Sequence, residues 1–242
     1  MTDVKSEDSG VAAVDRSIEI LKTVARFGHP ISLAEIARET GFYKSTILRL
    51  LKSLERAALV FRKANGKYAL GPYAKELGRT YESQYHLSEI VLPVLKGLVE
   101  KNTESASFHV YCNPQERMCL LRVDSVHPTL DRIRAGDLLP LDRGAAGKLL
   151  TAYLVDHLST EDVGVIARSM GERDPVCAAV ASPVFDSDGD VLGVISLSGP
   201  KDRFTPATIK KMSELVQAAS AQVTITMGGR WPKVLKTSAI DD

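Results

Sequence analysis

The chain has no run of about eighteen consecutive apolar residues, so no segment is expected to span a membrane. Its first ten residues, MTDVKSEDSG, are polar and acidic and lack the apolar centre of a signal peptide. Cysteine is scarce. Cys112, Cys119 and Cys177 form an odd, loosely spaced trio, unlike a disulfide framework or a zinc site, and a reducing cytoplasm fits. Catalytic fingerprints are missing as well: there is no G-x-S-x-G, Walker or dinucleotide motif, and His29, His86, His109, His127 and His157 show no ligand spacing. Asp186, Asp188 and Asp190 lack the in-register glycine and later glutamate of a calcium loop and read as a turn. No catalytic residue, metal or cofactor is expected. Excess charge of one sign is also absent, since the net charge is +1. A nucleic-acid partner therefore requires basic residues gathered in one place.

They are gathered between Ser32 and Tyr68. Ser32 and Glu35 have the spacing of a capping box, and Leu33, Ile36 and Ala37 give a short apolar face before Gly41. A second helix follows, with Ile47, Leu48, Leu50, Leu51 and Leu54 on its inner side. Val60-Phe61 and Tyr68-Leu70 flank Asn65-Gly66, a strong hairpin signal that makes a wing. Two short helices, a tight turn and a basic hairpin form a winged helix-turn-helix, a DNA reader. From Gly41 to Leu70 the basic residues are Lys44, Arg49, Lys52, Arg56, Arg62, Lys63 and Lys67, against Glu55 alone. Lys44, Ser45, Thr46 and Arg49 are the expected major-groove contacts, with Arg49 as base reader, and Ser53 is a further expected DNA contact. Arg62, Lys63 and Lys67 would track the flanking backbone or minor groove.

The rest of the chain divides around this unit. Residues 1–10 read as a disordered tail and 11–71 as the DNA-binding domain, whose first helix carries Val14, Ile18, Leu21 and Ala25. Residues 72–86 read as a linking helix on which Tyr73, Leu77, Tyr81 and Tyr85 form one stripe, suited to pairing with a second copy. Residues 87–228 read as an α+β domain. It has a helix over 88–101, strands at 107–112, 119–125 and 129–134, and a helix over 144–154. A hairpin of 178–185 with 191–197 and a long final helix after Thr205-Pro206 complete it. The tail, 229–242, has no periodicity and no readable role.

Several stretches together resemble IclR-type transcriptional regulators. In the front half these are Arg16-Ser-Ile-Glu-Ile-Leu, the run from Leu33 to Glu55, and Tyr68-Ala-Leu-Gly. Tyr43 stands where that family usually has the proline that presets the recognition helix. In the back half they are Gly144-Ala-Ala-Gly-Lys148, Gly171-Glu-Arg-Asp-Pro175, Ala181-Ser-Pro-Val-Phe185, Ile195-Ser-Leu-Ser-Gly-Pro200 and Arg203-Phe-Thr205. The stretch between Leu154 and Gly171 is shorter than the family's usual pair of helices. The resemblance covers about residues 12 to 225 and implies a two-domain protein: a mainly α winged helix-turn-helix, then an α+β GAF-like effector domain. It also implies a homodimer, or a tetramer built from it, binding a double-stranded operator. The family's effector contacts fall on Gly144, Ala145, Glu172, Asp174, Ala179, Ser196 and Ser198. Small residues at Gly144-Ala145 let helix-start amides approach an anion, and Ser196 and Ser198 face one side of a strand. Arg132 and Arg134 share one alternation and are candidates to pair with a carboxylate.

The expected function is a sequence-specific transcriptional regulator, activator or repressor, controlling a catabolic operon and answering to a small organic acid, aromatic in one version. The rival is a GAF-like redox sensor or reductase using Cys112, Cys119 or Cys177, with the helix-turn-helix as a docking module.

Overall fold

A computed structural model describes residues 10–233 together with 239 and 240. It divides into two compact units, one ending at Tyr85 and the other beginning at His86. Apart from Gly10, the stretch read as a disordered tail lies outside the described residues.

The first unit contains α1 (Ala12–Phe27), α2 (Leu33–Thr40), α3 (Lys44–Arg56), β1 (Val60–Arg62), β2 (Tyr68–Leu70) and α4 (Pro72–Tyr85). The capping box forms: the Ser32 hydroxyl accepts from the Glu35 amide at 3.2 Å, and Glu35 accepts from the Ser32 amide at 2.7 Å. Gly41 closes α2 with a positive φ of 70°. Helix α3 starts at Lys44 with no side-chain cap from Tyr43, so its start relies on packing. That packing is a core of Ile20, Val24, Ile36, Ile47, Leu50, Leu51, Leu54, Val60 and Tyr68. Burying each large aliphatic side chain contributes roughly 1.5–3 kcal/mol, more than propensity supplies to helices this short. The wing pairs Val60 with Leu70 and Arg62 with Tyr68, and Ile31 bridges to Tyr68 on its other side. Gly71 is fixed by space, because a Cβ there would lie 2.1 Å from the Ala58 carbonyl oxygen. On α4, Tyr73, Leu77 and Tyr81 are exposed; the side chain of Tyr85 lies outside the description.

The second unit runs α5 (Leu87–Glu100), β3 (Ser105–Asn113), β4 (Glu116–Val123), β5 (Leu138–Pro140), α6 (Ala145–Leu154), the single turn α7 (Thr160–Val163), β6 (Ile166–Met170), β7 (Cys177–Phe185), β8 (Val191–Pro200), α8 (Pro206–Thr226) and β9 (Ala239–Ile240). The sheet order is β5-β4-β3-β8-β7-β6-β9, with every pairing antiparallel except β6 with β9. Helices α5 and α8 cover one face over Phe108, Leu121, Val180, Ile195 and Leu197. Helix α6 covers the other face over Ala167, Ala181 and Val194. This is the α+β arrangement that alternating strands and amphipathic helices require.

Three expectations are corrected. Residues 129–134 are not a strand: Asp131 is buried in an ion pair with Arg122, and the Arg134 amide donates to the Asp137 carboxylate at 2.7 Å in a turn closed by the Asp137 amide donating to the Arg134 carbonyl at 3.1 Å. Side-chain pairing and turn bonds take the place of a ladder. Strands β5 and β6 form where none was expected. The C-terminal segment also acquires a place, since Trp231 packs edge-on against Phe185 at 6.0 Å and 239–240 extends the sheet.

Candidate DNA-reading surface and ligand cavity

Helix α3 separates two chemistries by its period. Ile47, Leu50, Leu51 and Leu54 are buried, whereas Leu48, expected on the inner side, is exposed with Lys44, Ser45, Arg49, Lys52, Ser53 and Arg56, and Thr46 is half-buried. In the wing, Arg62, Lys63 and Lys67 are exposed. The turn is closed by the Lys63 amide donating to the Lys67 carbonyl at 2.8 Å and by Gly66 at φ +78°. The Arg62 guanidinium lies 5.8 Å from the Tyr68 ring centroid, which orients it along the wing. None of the basic residues of α3 and the wing forms an ion pair among the described residues. Uncompensated cations on one helix and one hairpin are what phosphate neutralisation requires.

In the second unit, the start of α6 faces the sheet across a cavity of about 30 Å³. Its floor is made of small side chains placed side by side by register: Ser198 pairs with Ala179 across β8 and β7, and Ala179 with Ser169 across β7 and β6. Gly144, Ala145 and Ala146 line it from the start of α6, Arg173 and Asp174 from the loop after β6, and Cys177 from the first position of β7. His109 of β3, Arg117 of β4 and Ile133 complete the lining. Of the residues indicated by family resemblance, the cavity collects Gly144, Ala145, Asp174, Ala179, Ser196 and Ser198. Glu172 is not part of the lining. Its carboxylate is committed to the Gly144 amide at 3.1 Å and the Lys148 ammonium at 2.6 Å, holding α6 in place. Arg132 and Arg134 are exposed and flank a separate groove with Asp124 and Asp137, so they do not reach the cavity.

The hydroxyl of Ser198 donates to the Asp131 carboxylate at 2.6 Å. Asp131 is in turn paired with Arg122, which also reaches Ser107 at 3.2 Å and Asp124 at 2.6 Å. A paired carboxylate only accepts, so Ser198 has spent its proton and offers lone pairs to the cavity. Arg117 is 3 % exposed. Its Nη1 donates to the carbonyls of Pro140 and, at 3.2 Å, Arg143, while Nε has no partner. Burial, then the neighbouring Arg173 charge, pushes its pKa down to about 10. His109 is fully buried with Nδ1 unpartnered; burial first, then the charges of Arg117, Arg122 and Arg173, hold its pKa well below the usual histidine value.

A model of the IclR helix-turn-helix domain matches residues 13–62, and a model of the bacterial transcriptional regulator IclR C-terminal domain matches residues 163–225. The chain belongs to the IclR family of DNA-binding transcriptional regulators. It is 25 % identical to the transcriptional repressor IclR of Escherichia coli K12 over 253 residues, covering 90 % of this chain and 91 % of that one. It is 26 % identical to the acetate operon repressor of Salmonella typhimurium, covering 90 % and 91 %. Among solved structures, an IclR regulator from Alicyclobacillus acidocaldarius superposes with a TM-score of 0.70 at 22 % identity, covering 91 % of this chain and 100 % of that one. An IclR homologue from Microbacterium hydrocarbonoxydans, complexed with 4-hydroxybenzoate, gives 0.71 at 18 %, covering 89 % and 99 %. At these identities the structural likeness shows the fold.

For this IclR-family chain, sequence reasoning missed Arg117, His109 and Ser169. Arg117 shares one face of β4 with Cys119, and past the irregularity that face continues through Arg122 rather than Leu121, so two-residue spacing alone did not mark it. Cys119 and Cys177 are not activated. Burial pushes the Cys119 thiol up to about 11, and burial and then Asp174 raise that of Cys177. Raised thiols are poor nucleophiles. Among the described residues no helix is long and apolar enough to cross a membrane, and no cluster of three or more metal-ligating side chains occurs.

Proposed function

We propose that this regulator binds a palindromic operator as a homodimer in the cytoplasm and changes its DNA affinity on taking up a small organic acid in the cavity beneath α6. The observation that carries the DNA half is the polar, unpaired face of α3 beside the basic wing. Lys44, Ser45, Thr46, Arg49 and Ser53 enter the major groove, and Arg62, Lys63 and Lys67 contact the flanking backbone. The exposed Tyr73, Leu77 and Tyr81 on α4 pair with the same helix of a second chain, which sets the half-site spacing. The direction we propose is repression of a catabolic operon, because both named relatives are repressors.

Support for the acid comes from the cationic, small-residue lining and from the 4-hydroxybenzoate held by the Microbacterium relative. A cavity of about 30 Å³ holds roughly two waters. An organic acid therefore enters only when lining side chains give way, and that coupling lets a ligand shift the conformational population. The test is operator retention with 4-hydroxybenzoate and other carboxylates, in wild type and in a Ser196→Ala, Ser198→Ala double variant. Release of wild type by a carboxylate that leaves the double variant bound supports the reading; equal release of both removes the serines from the site.

A further inference from the structure

Two arginines, Arg132 and Arg134, had the alternation to hold the effector's acid group, and neither reaches the cavity. A third arginine does. Arg117 is buried to 97 % by its 3 % exposure, lines the cavity, and forms no ion pair among the described residues. Its Nη1 is engaged by two backbone carbonyls, its Nε is an orphan donor, and its Nη2 lies against Gly144, where an added Cβ would come within 3.3 Å. A buried cation without a counterion is costly unless an anion completes it. The first turn of α6, directly above, has no side-chain cap, so the amides of Ala145, Ala146 and Gly147 are free of intrahelical partners. His109 adds a second unpartnered buried nitrogen to the same lining. The nearby Glu172 carboxylate is already matched by Lys148, and the other charges of the lining, Arg173 and Asp174, are of opposite sign. The local balance leaves one positive charge on Arg117.

We propose that Arg117 supplies the charge that holds the effector's carboxylate beside the helix-start amides that the family resemblance already assigns to the effector, so that charge on β4 selects an anionic ligand. This rests on the reading of the cavity as the effector site. The competing role for Arg117 is a structural tie between the carbonyls of Pro140 and Arg143 and the start of α6. A tie alone gives no carboxylate response.

The experiment is thermal unfolding of the full chain, followed by Trp231 fluorescence at constant ionic strength, with acetate, 4-hydroxybenzoate and the corresponding amides as probes. Wild type, Arg117→Gln and Arg117→Lys are compared. At least one carboxylate is expected to stabilise wild type while its amide does not. The concentration needed is expected to rise roughly tenfold to a hundredfold in Arg117→Gln, the loss of a charged hydrogen bond, and less in Arg117→Lys. A response unchanged in Arg117→Gln, or no response of wild type to either carboxylate, overturns the proposal. Should Arg117→Gln fail to fold, the Arg117 Nε–H resonance of wild type, assigned by its loss in Arg117→Lys, reads the same point: it shifts with the carboxylate and not with the amide if the proposal holds, and stays still if it does not. Operator binding in the same samples separates the two readings. Sequence-specific binding without a carboxylate effect discards this inference alone, and fragment-blind binding with an intact effect discards the regulator reading alone.

Discussion

Replacing Asp131 by alanine tests how far the buried ion pair behind the cavity stabilises the second unit. The Asp131 side chain is fully buried and that of Arg122 is 4 % exposed. Breaking a buried pair from one side costs about 3–5 kcal/mol, because the remaining charge stays uncompensated. Arg122 keeps Asp124 at 2.6 Å and Ser107 at 3.2 Å, so the loss belongs near the lower end, about 3 kcal/mol. The chain's single tryptophan, Trp231, packs on Phe185 in this unit and reports its unfolding. In urea at pH 7 the fluorescence midpoint should fall by roughly 1 M or more with little change in slope. Asp124→Ala is the control. Its carboxylate is 58 % exposed, and its loss should cost below about 1 kcal/mol. If Asp131→Ala costs no more than the control, the network is not what holds Ser198 and β4 together.

Two further outcomes follow from the same physics. The folded unit keeps His109 neutral below its ordinary value of 6.5 while the unfolded chain protonates, so stability is full above about pH 6.5 and falls as pH drops below it, by up to about 1.4 kcal/mol per pH unit. Urea midpoints at pH 7.5 and 5.5 should diverge in wild type and converge in His109→Gln; equal slopes would remove His109 as the cause. Gly71→Ala forces a Cβ to 2.1 Å from a backbone oxygen and should destabilise the first unit by roughly 1–3 kcal/mol, seen as a lower melting transition by circular dichroism and weakened DNA binding. An unaltered transition would mean the loop at Ala58 yields freely.

What was legible in the sequence is what short-range chemistry encodes. The Ser32–Glu35 box, Gly41, the 3.6-residue spacing of Ile47 to Leu54 and the Asn65-Gly66 turn each act over a few residues, and the first unit is assembled from them. The hairpin of β7 and β8 is local in the same sense. The cavity is not. Its floor depends on Ser198, Ala179 and Ser169 meeting across three strands, and on Ser105 pairing with Ser198 from far along the chain. No periodicity specifies such a register. Arg117 was obscured in another way: an irregularity in β4 lets Cys119 pair with His109 but Leu121 with Phe108, so Cys119 and Leu121 serve opposite faces although they are two residues apart. Residues 129–134 alternate like a strand, yet a buried carboxylate at Asp131 outweighs the pattern, since its ion pair and the Ser198 hydroxyl fix the segment as a loop.

The most direct measurement is binding to upstream genomic fragments across a salt series, wild type against Arg49→Ala. The account predicts a steep salt dependence from the unpaired basic residues of α3 and the wing, one preferred fragment, and a loss of about 1–3 kcal/mol on that fragment alone in Arg49→Ala. Flat, fragment-blind binding that Arg49→Ala leaves untouched would contradict it, because the exposed face of α3 would then not be reading DNA.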